Sequence, residues 1–256
     1  MGVAVLHNKM FIIFNFSSVV RVYLVDSIED PLEEISIPDM KFPHDIVACV
    51  KTEKLFIADM QKSEAGGVWR MTAEGDRDID LYLPSEQDPE GLWPRSLAAA
   101  NGYLLVVAYP NTLLKYGVGG RRLCKVQLSR DVQLEHAVIT NHDTFVVGLR
   151  TADNTLILVR EVDTNGNTVR NCPMEFSLPA YLAADPAGRV LVADRHNNRV
   201  VLLDKRLSVK RVLLGGEQRE PRRLLLRPEL GELYVCGSDS VTLWLVGNQQ
   251  LIASTC

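Results

Sequence analysis

Residues 190–204 read VLVADRHNNRVVLLD. Two apolar runs, 190–193 and 200–203, flank the polar patch 194–199, DRHNNR. The runs are rich in valine and leucine and too short for a helix, so they read as buried strands, and the patch between them reads as a tight turn. Asp194 is suited to accept hydrogen bonds from the turn while Arg199 pairs with it across the hairpin, which would fix the strand register. His196 has no second histidine or carboxylate at ligand spacing on this turn, so a metal site is not expected. The stretch is a hairpin, and the fold depends on how often it recurs.

It recurs along the whole chain. Strand, turn, strand, polar patch, strand, turn and a weaker fourth strand start at Gly2, Phe42, Trp93, Leu134, Leu178 and Glu220, roughly 40 to 50 residues apart. Turn pairs such as Asn101-Gly102, Asn165-Gly166 and Ala187-Gly188 punctuate the copies, and no stretch sustains a 3.6-residue apolar period. A lone four-stranded sheet cannot bury both faces, so sheets of this period must pack face to face in a ring. The expected fold is all-β, a six-bladed β-propeller of four-stranded antiparallel blades in a single domain, 1–256. Its blades are expected at about 1–39, 40–92, 93–132, 133–174, 175–219 and 220–256, with QQLIASTC as the last outer strand. Closure is expected by packing of the first blade on the last.

Composition bounds the function. Apolar residues make up 46% and charged residues 23%, and the net charge is −4 with a pI near 5.8, so no whole-molecule attraction to DNA or an anionic membrane is expected. The five cysteines are widely spaced and lack a CxxC pair, which favours reduced thiols and a cytoplasmic setting over a disulfide framework or zinc. The opening MGVAVLHNKMFIIFNF has no basic leading region and is broken by His7, Asn8 and Lys9, so it reads as strands rather than a signal peptide or membrane span. Leu6 stands where N-myristoylation needs serine or threonine. Phosphate-loop, dinucleotide and GxSxG motifs are missing.

The stretch GRVLVADRHNNRVVLLD resembles an NHL repeat, with Asp194, Asn198, Arg199 and Asp204 at the matching positions. KLFIADM repeats the first half with Asp59 and keeps Arg70 further on, and FVVGLRTADNTLILVREVDTNGN resembles the second half with Asp163 and Gly166. The copies at Gly2, Trp93 and Glu220 match in strand pattern alone. The WD dipeptide does not occur, and the glycine pairs at 66–67, 119–120 and 215–216 do not repeat at one place in the copies as a kelch double-glycine signature would. The resemblance implies an NHL-type propeller of the kind carried by tripartite-motif (TRIM-NHL) proteins, which dock protein partners or bind RNA on one face, often as the substrate-recognition part of a ubiquitin-ligase system. The chain has no zinc-binding residues for a RING module, so no ligase activity is expected of it.

Propellers commonly bind at one end of the channel, where the innermost strands begin. Aligned on that point, the copies place Gly2, Asp45, Ser96, His136, Tyr181 and Arg223 in one ring, preceded by His44, Arg95, Glu135, Ala180 and Arg222. The expected partner-binding rim is therefore His44, Asp45, Arg95, Ser96, His136, Tyr181, Arg222 and Arg223. No catalytic residue, cofactor or metal is assigned. Only Asp45, Glu135 and His136 could serve a cation, with Arg223 intruding, so a metal-dependent propeller hydrolase or lactonase ranks as the alternative from another class. Between residues 189 and 227, eleven Lys or Arg face four Asp or Glu, an excess of +7 that leaves −11 on the rest. Single-stranded RNA could use Arg222, Arg223 and a stacking Tyr181. Lys205, Arg206, Lys210 and Arg211 read as solvated residues of a turn and outer strand. Overall acidity places a non-catalytic protein-recognition module first and RNA second. Trp69, Trp93 and Trp244 read as core between blades, residues 75–92 as an acidic outer strand and loop, and Asn141, His142 and Asp143 as a turn.

Overall fold

The hairpins seen in the sequence stack into sheets by a simple rule of chain economy: each strand pairs with the next one along. The computed structural model describes residues 2–27, 30–61, 67–84, 93–100, 102–109, 111–117, 119–139, 144–177, 180–215, 220–227, 230–237, 241–247 and 250–255, with backbone alone at 75–78, 84, 214–215 and 241–255. Among the described residues, 24 strands form six four-stranded sheets, each from four consecutive strands. These are the antiparallel blades of an all-β propeller. The chain divides into two compact units, Met1–Lys125 and Val126–Cys256.

In the first unit, β1 (Gly2–Leu6), β2 (Lys9–Ile13), β3 (Val19–Leu24) and β4 (Glu33–Ser36) form one sheet, and β5 (Pro43–Cys49), β6 (Lys54–Asp59), β7 (Gly67–Thr72) and β8 (Gly75–Pro84) the next. The third comprises β9 (Pro94–Ala100), β10 (Tyr103–Ala108), β11 (Thr112–Gly117) and β12 (Arg122–Gln127), whose last residues cross the unit boundary. The unbroken apolar run of β6 has a direct cause. Leu55 and Ile57 pack toward the first sheet with Phe11, Ile13, Val20 and Val22, while Phe56 and Ala58 pack toward the third with Leu97, Leu104 and Val106. A strand covered on both faces loses the alternation of a half-exposed one. Each large side chain fully buried in these layers, such as Phe11, contributes about 1.5–3 kcal/mol. Gly2 opens β1 where a Cβ would lie 3.0 Å from Ile13 and 3.1 Å from Ile46, so a side chain there would press on both and require them to shift by a few tenths of an ångström.

In the second unit the sheets are β13 (Gln133–Ile139), β14 (Phe145–Arg150), β15 (Leu156–Val162) and β16 (Thr168–Ser177); β17 (Ala180–Ala184), β18 (Val190–Asp194), β19 (Arg199–Leu203) and β20 (Val209–Gly215); and β21 (Arg223–Arg227), β22 (Glu232–Cys236), β23 (Val241–Gly247) and β24 (Gln250–Thr255). Leu191 and Val200 pack with Leu233 and Val235, joining the fifth sheet to the sixth. Strand β16 runs past the boundary expected at 174 because Glu175, Phe176 and Ser177 still pair with Leu158, Ile157 and Leu156 of β15, and Asp194 accepts the Ser177 N–H at 2.8 Å. The turn at Asn165-Gly166 has the expected positive φ, +87° at Gly166, and Asp163 accepts the N–H groups of Asn165 (2.8 Å) and Asn167 (2.9 Å). No helix of the described residues is long and apolar enough to cross a membrane.

Candidate functional site

Within each unit the first strands of successive sheets lie side by side, and the expected rim residues sit where these strands begin. In the first unit Pro43 pairs with Asp59 and Asp45 with Ala58, so His44 is the extra residue of a β-bulge. Pro94 pairs with Ala108 and Ser96 with Val107, which puts Arg95 in the same situation. In the second unit Leu134 pairs with Leu149 and His136 with Gly148, making Glu135 the third bulged residue. A bulge re-aims the side chain it carries and bends the strand. The proline that opens β5 and β9 helps, since it has no N–H to offer the ladder.

The bulges turn part of the rim inward. Asp45 is buried at 3% exposure and accepts the N–H of Ile46 (3.0 Å) and, from the next sheet, that of Leu97 (2.9 Å). His44 Nδ1 donates to the carbonyl of Arg95 at 2.7 Å. These two residues therefore tie β5 to β9. Ser96 is also buried, so His44 and Arg95 are the half-buried members of this group that reach the surface.

Beside His44 lies a pocket of about 450 Å³ lined by Asn15, Phe16, Phe42, Pro43, His44 and Met60. Phe16 occupies the turn after β2, where Ser17 N–H bonds Phe14 O at 3.1 Å and Ser17 Oγ accepts Val19 N–H at 3.2 Å. Its backbone is left-handed, φ +65°, and its side chain is 77% exposed. A bulky residue held at positive φ costs of order 1–3 kcal/mol, and here burial returns little. Phe42, 45% exposed, meets Phe16 edge to face at 5.5 Å and 83°. Its backbone is fixed by its N–H to Asp59 Oδ1 (2.8 Å) and its carbonyl to Met60 N–H (3.0 Å). The rim alignment missed both phenylalanines because Phe42 precedes the aligned start of β5 and Phe16 lies in the turn between β2 and β3, which the alignment did not include; the signal was an aromatic residue in each polar turn, FNFSS and KFPHD.

In the second unit three neighbouring first strands bring His136, Tyr181 and Arg223 together. The Arg223 guanidinium lies 3.7 Å from the Tyr181 ring centroid, and the His136 ring meets Tyr181 edge-on at 5.3 Å. Arg223 is 8% exposed, so this stack is a packed junction. Buried Glu135 pairs with Arg150 at 2.5 Å. Arg222 is instead drawn to Glu220 at 3.1 Å, which Arg195 also holds at 2.7 Å. Hydrogen bonds from Arg195, then Arg222, keep the Glu220 carboxyl below its ordinary value. Asn198 is left-handed at φ +49° and accepts Glu220 N–H at 2.8 Å, tying the hairpin turn to the approach of β21.

The opening hairpin is a structural hub. Fully buried Asp194 accepts Ser177 N–H and hydroxyl, Asn197 Nδ2 (3.0 and 2.9 Å) and Arg199 Nε (2.7 Å). Asp59 takes the same place in the second sheet, accepting the N–H groups of Lys41 (3.1 Å) and Phe42 (2.8 Å) and the Trp69 indole (3.4 Å). Arg70 pairs with Asp80 rather than with Asp59. His196 is exposed, and its backbone N–H bonds Ser177 Oγ at 3.0 Å. Among the described residues no three His, Cys, Asp or Glu side chains group as metal ligands would. Trp69 is buried and Trp93 half-buried against Tyr109 at 6.1 Å. Residues 85–92, Asn141, His142, Asp143 and the Trp244 side chain lie outside the described residues.

Comparison with known proteins agrees with this architecture. Residues 176–201, the stretch that contains the Asp194 hub, match the NHL repeat. No curated protein matches the chain. Among solved structures it is similar to the WD40 propeller domain of Doa1, with TM-score 0.70 and 16% identity over 100% of this chain and 81% of that one. It is also similar to a protein of unknown function from Bacteroides caccae (0.68, 15%, 96% and 89%) and to virginiamycin B lyase from Staphylococcus aureus (0.66, 12%, 100% and 83%). At these identities the likeness is one of fold.

Proposed function

We propose that the chain is a non-catalytic recognition module, its six sheets the blades of one propeller, which binds a protein partner through the face where the first strands begin. The observation that carries this reading is the Phe16–Phe42 pocket. An exposed aromatic held in a costly backbone conformation beside an apolar cavity gives the fold little and offers a partner a rigid anchor site. The cavity, about 450 Å³, suits one large apolar side chain of a partner, with His44 and Asn15 at its edge to orient the partner's backbone. The RNA reading is weaker because Tyr181 already carries Arg223 on its ring and His136 at its side, and Arg222 is engaged with Glu220. Free thiols at Cys49, Cys124, Cys172 and Cys236 suit a cytoplasmic setting.

The test is selection of peptides from a displayed library on the immobilised chain, followed by titration against variants. Selected sequences sharing an apolar anchor, with affinity reduced about 30-fold or more by Phe42→Ala, support the pocket. Equal binding to wild type and Phe42→Ala overturns it.

A further inference from the structure

In the second unit, strand β20 is the last in its sheet and pairs with β19 alone among the described strands. Arg170, Arg189, Arg195, Arg199, Arg222 and Arg227 of this unit each sit in an ion pair. Lys205 and Arg206, in the turn before β20, and Lys210 and Arg211, within it, are exposed; among the described residues none is held in a direct ion pair, although Arg206 and Lys210 act through space on the Asp204 carboxylate. Val209 and Val212, 40% and 45% exposed, lie on the same strand.

We propose that this edge docks an acidic, extended segment of a protein partner, which adds to β20 as a further strand. Backbone pairing supplies the attachment and alternate side chains the selectivity. The cations select acidic side chains on the incoming strand, and the two valines select aliphatic ones. Lysine and arginine on an edge normally guard against pairing with another copy, because the copy carries the same charges. That repulsion reverses sign for an acidic strand. Residues 205–213 contain no aromatic side chain, so the edge lacks the stacking surface that single-stranded RNA would use. The register of β20 skips at Lys210 and Leu213, so the incoming strand must follow a twisted edge. A short flexible peptide segment can do this more readily than a preformed sheet. This edge is independent of the Phe16–Phe42 pocket, and either can fail alone.

The test is fluorescence anisotropy of the full chain with a labelled, end-capped peptide of alternating glutamate and valine. Saturable binding should fall about tenfold or more with Lys210→Glu/Arg211→Glu, and in the same direction with Lys205→Glu/Arg206→Glu. Both variants should keep the wild-type circular dichroism, since all four side chains are exposed. N-methylation of alternate peptide amides should abolish binding, while Phe42→Ala should leave it unchanged. Three results would overturn the proposal: equal binding by the N-methylated peptide, which means charge attraction without strand addition; equal binding by the charge-reversed variants; or tighter binding of an oligouridylate at the same surface.

Discussion

Replacing Asp194 by alanine removes the acceptor on which the NHL hairpin converges. The carboxylate is fully buried and receives two donors from Ser177, the Asn197 amide and Arg199 Nε at 2.7 Å. Breaking a buried pair by deleting one partner costs about 3–5 kcal/mol. Each lost hydrogen bond to a charged group is worth about 1.5–3 kcal/mol, but these overlap with the pair and are not added to it. Arg199 is 27% exposed and recovers part of its hydration, which places the expected loss near the lower end, about 3 kcal/mol. For a chain of this length that lowers Tm by roughly 6–12 °C, read by thermal circular dichroism and checked by urea unfolding with an unchanged slope. His196→Ala, on an exposed side chain two residues away, stays within about 0.5 kcal/mol of wild type. Arg199→Met costs less than Asp194→Ala because Ser177 and Asn197 still satisfy the carboxylate. A loss under about 1 kcal/mol for Asp194→Ala, or one equal to that of His196→Ala, would refute the claim that this residue is a hub.

Other predictions follow from the same contacts. Asp45→Ala strands the buried Leu97 N–H and should cost about 1–3 kcal/mol in urea unfolding, whereas a surface role for Asp45 would give no loss. Burial pushes the Cys236 thiol up to about 12, so in the folded chain it should resist iodoacetamide at pH 8 while half-buried Cys124 and Cys172 label slowly; rapid labelling of Cys236 contradicts its placement. Glu220 has a lowered carboxyl pKa, so its stabilising contribution is present above the ordinary 4.5 and is lost as pH falls through the lowered value. Carboxyl NMR should show Arg195→Gln raising that titration toward 4.5, and an unchanged midpoint would refute the assignment.

The strand repeat was legible because blades covered on both faces write unbroken apolar runs, as Leu55 to Ala58 does. Asp194 and Arg199 were legible for a local reason, since both ends of their contact lie in one hairpin. The starts of the first strands were legible, but the direction of their side chains was not. That His44, Arg95 and Glu135 are bulged depends on a one-residue skip in the pairing of their hairpins, and that Asp45 turns to the Leu97 N–H depends on a residue 52 positions away in the next sheet, neither of which the strand pattern carries. Tyr181 read as an open stacking surface for the same reason: the guanidinium covering it arrives from Arg223, one sheet later. Phe16 went unnoticed because its left-handed backbone is imposed by the turn, not announced by a glycine or asparagine at that position.

The most direct test of the recognition account is site-specific photo-crosslinking in cells from a benzoylphenylalanine placed at position 16, with the same probe at exposed Val50 as control. The account predicts a discrete adduct from position 16 that is removed by protease, survives ribonuclease, and is absent from the Val50 probe and from the position-16 probe combined with Phe42→Asp. An adduct removed by ribonuclease, the same adducts from both positions, or none at all would contradict it.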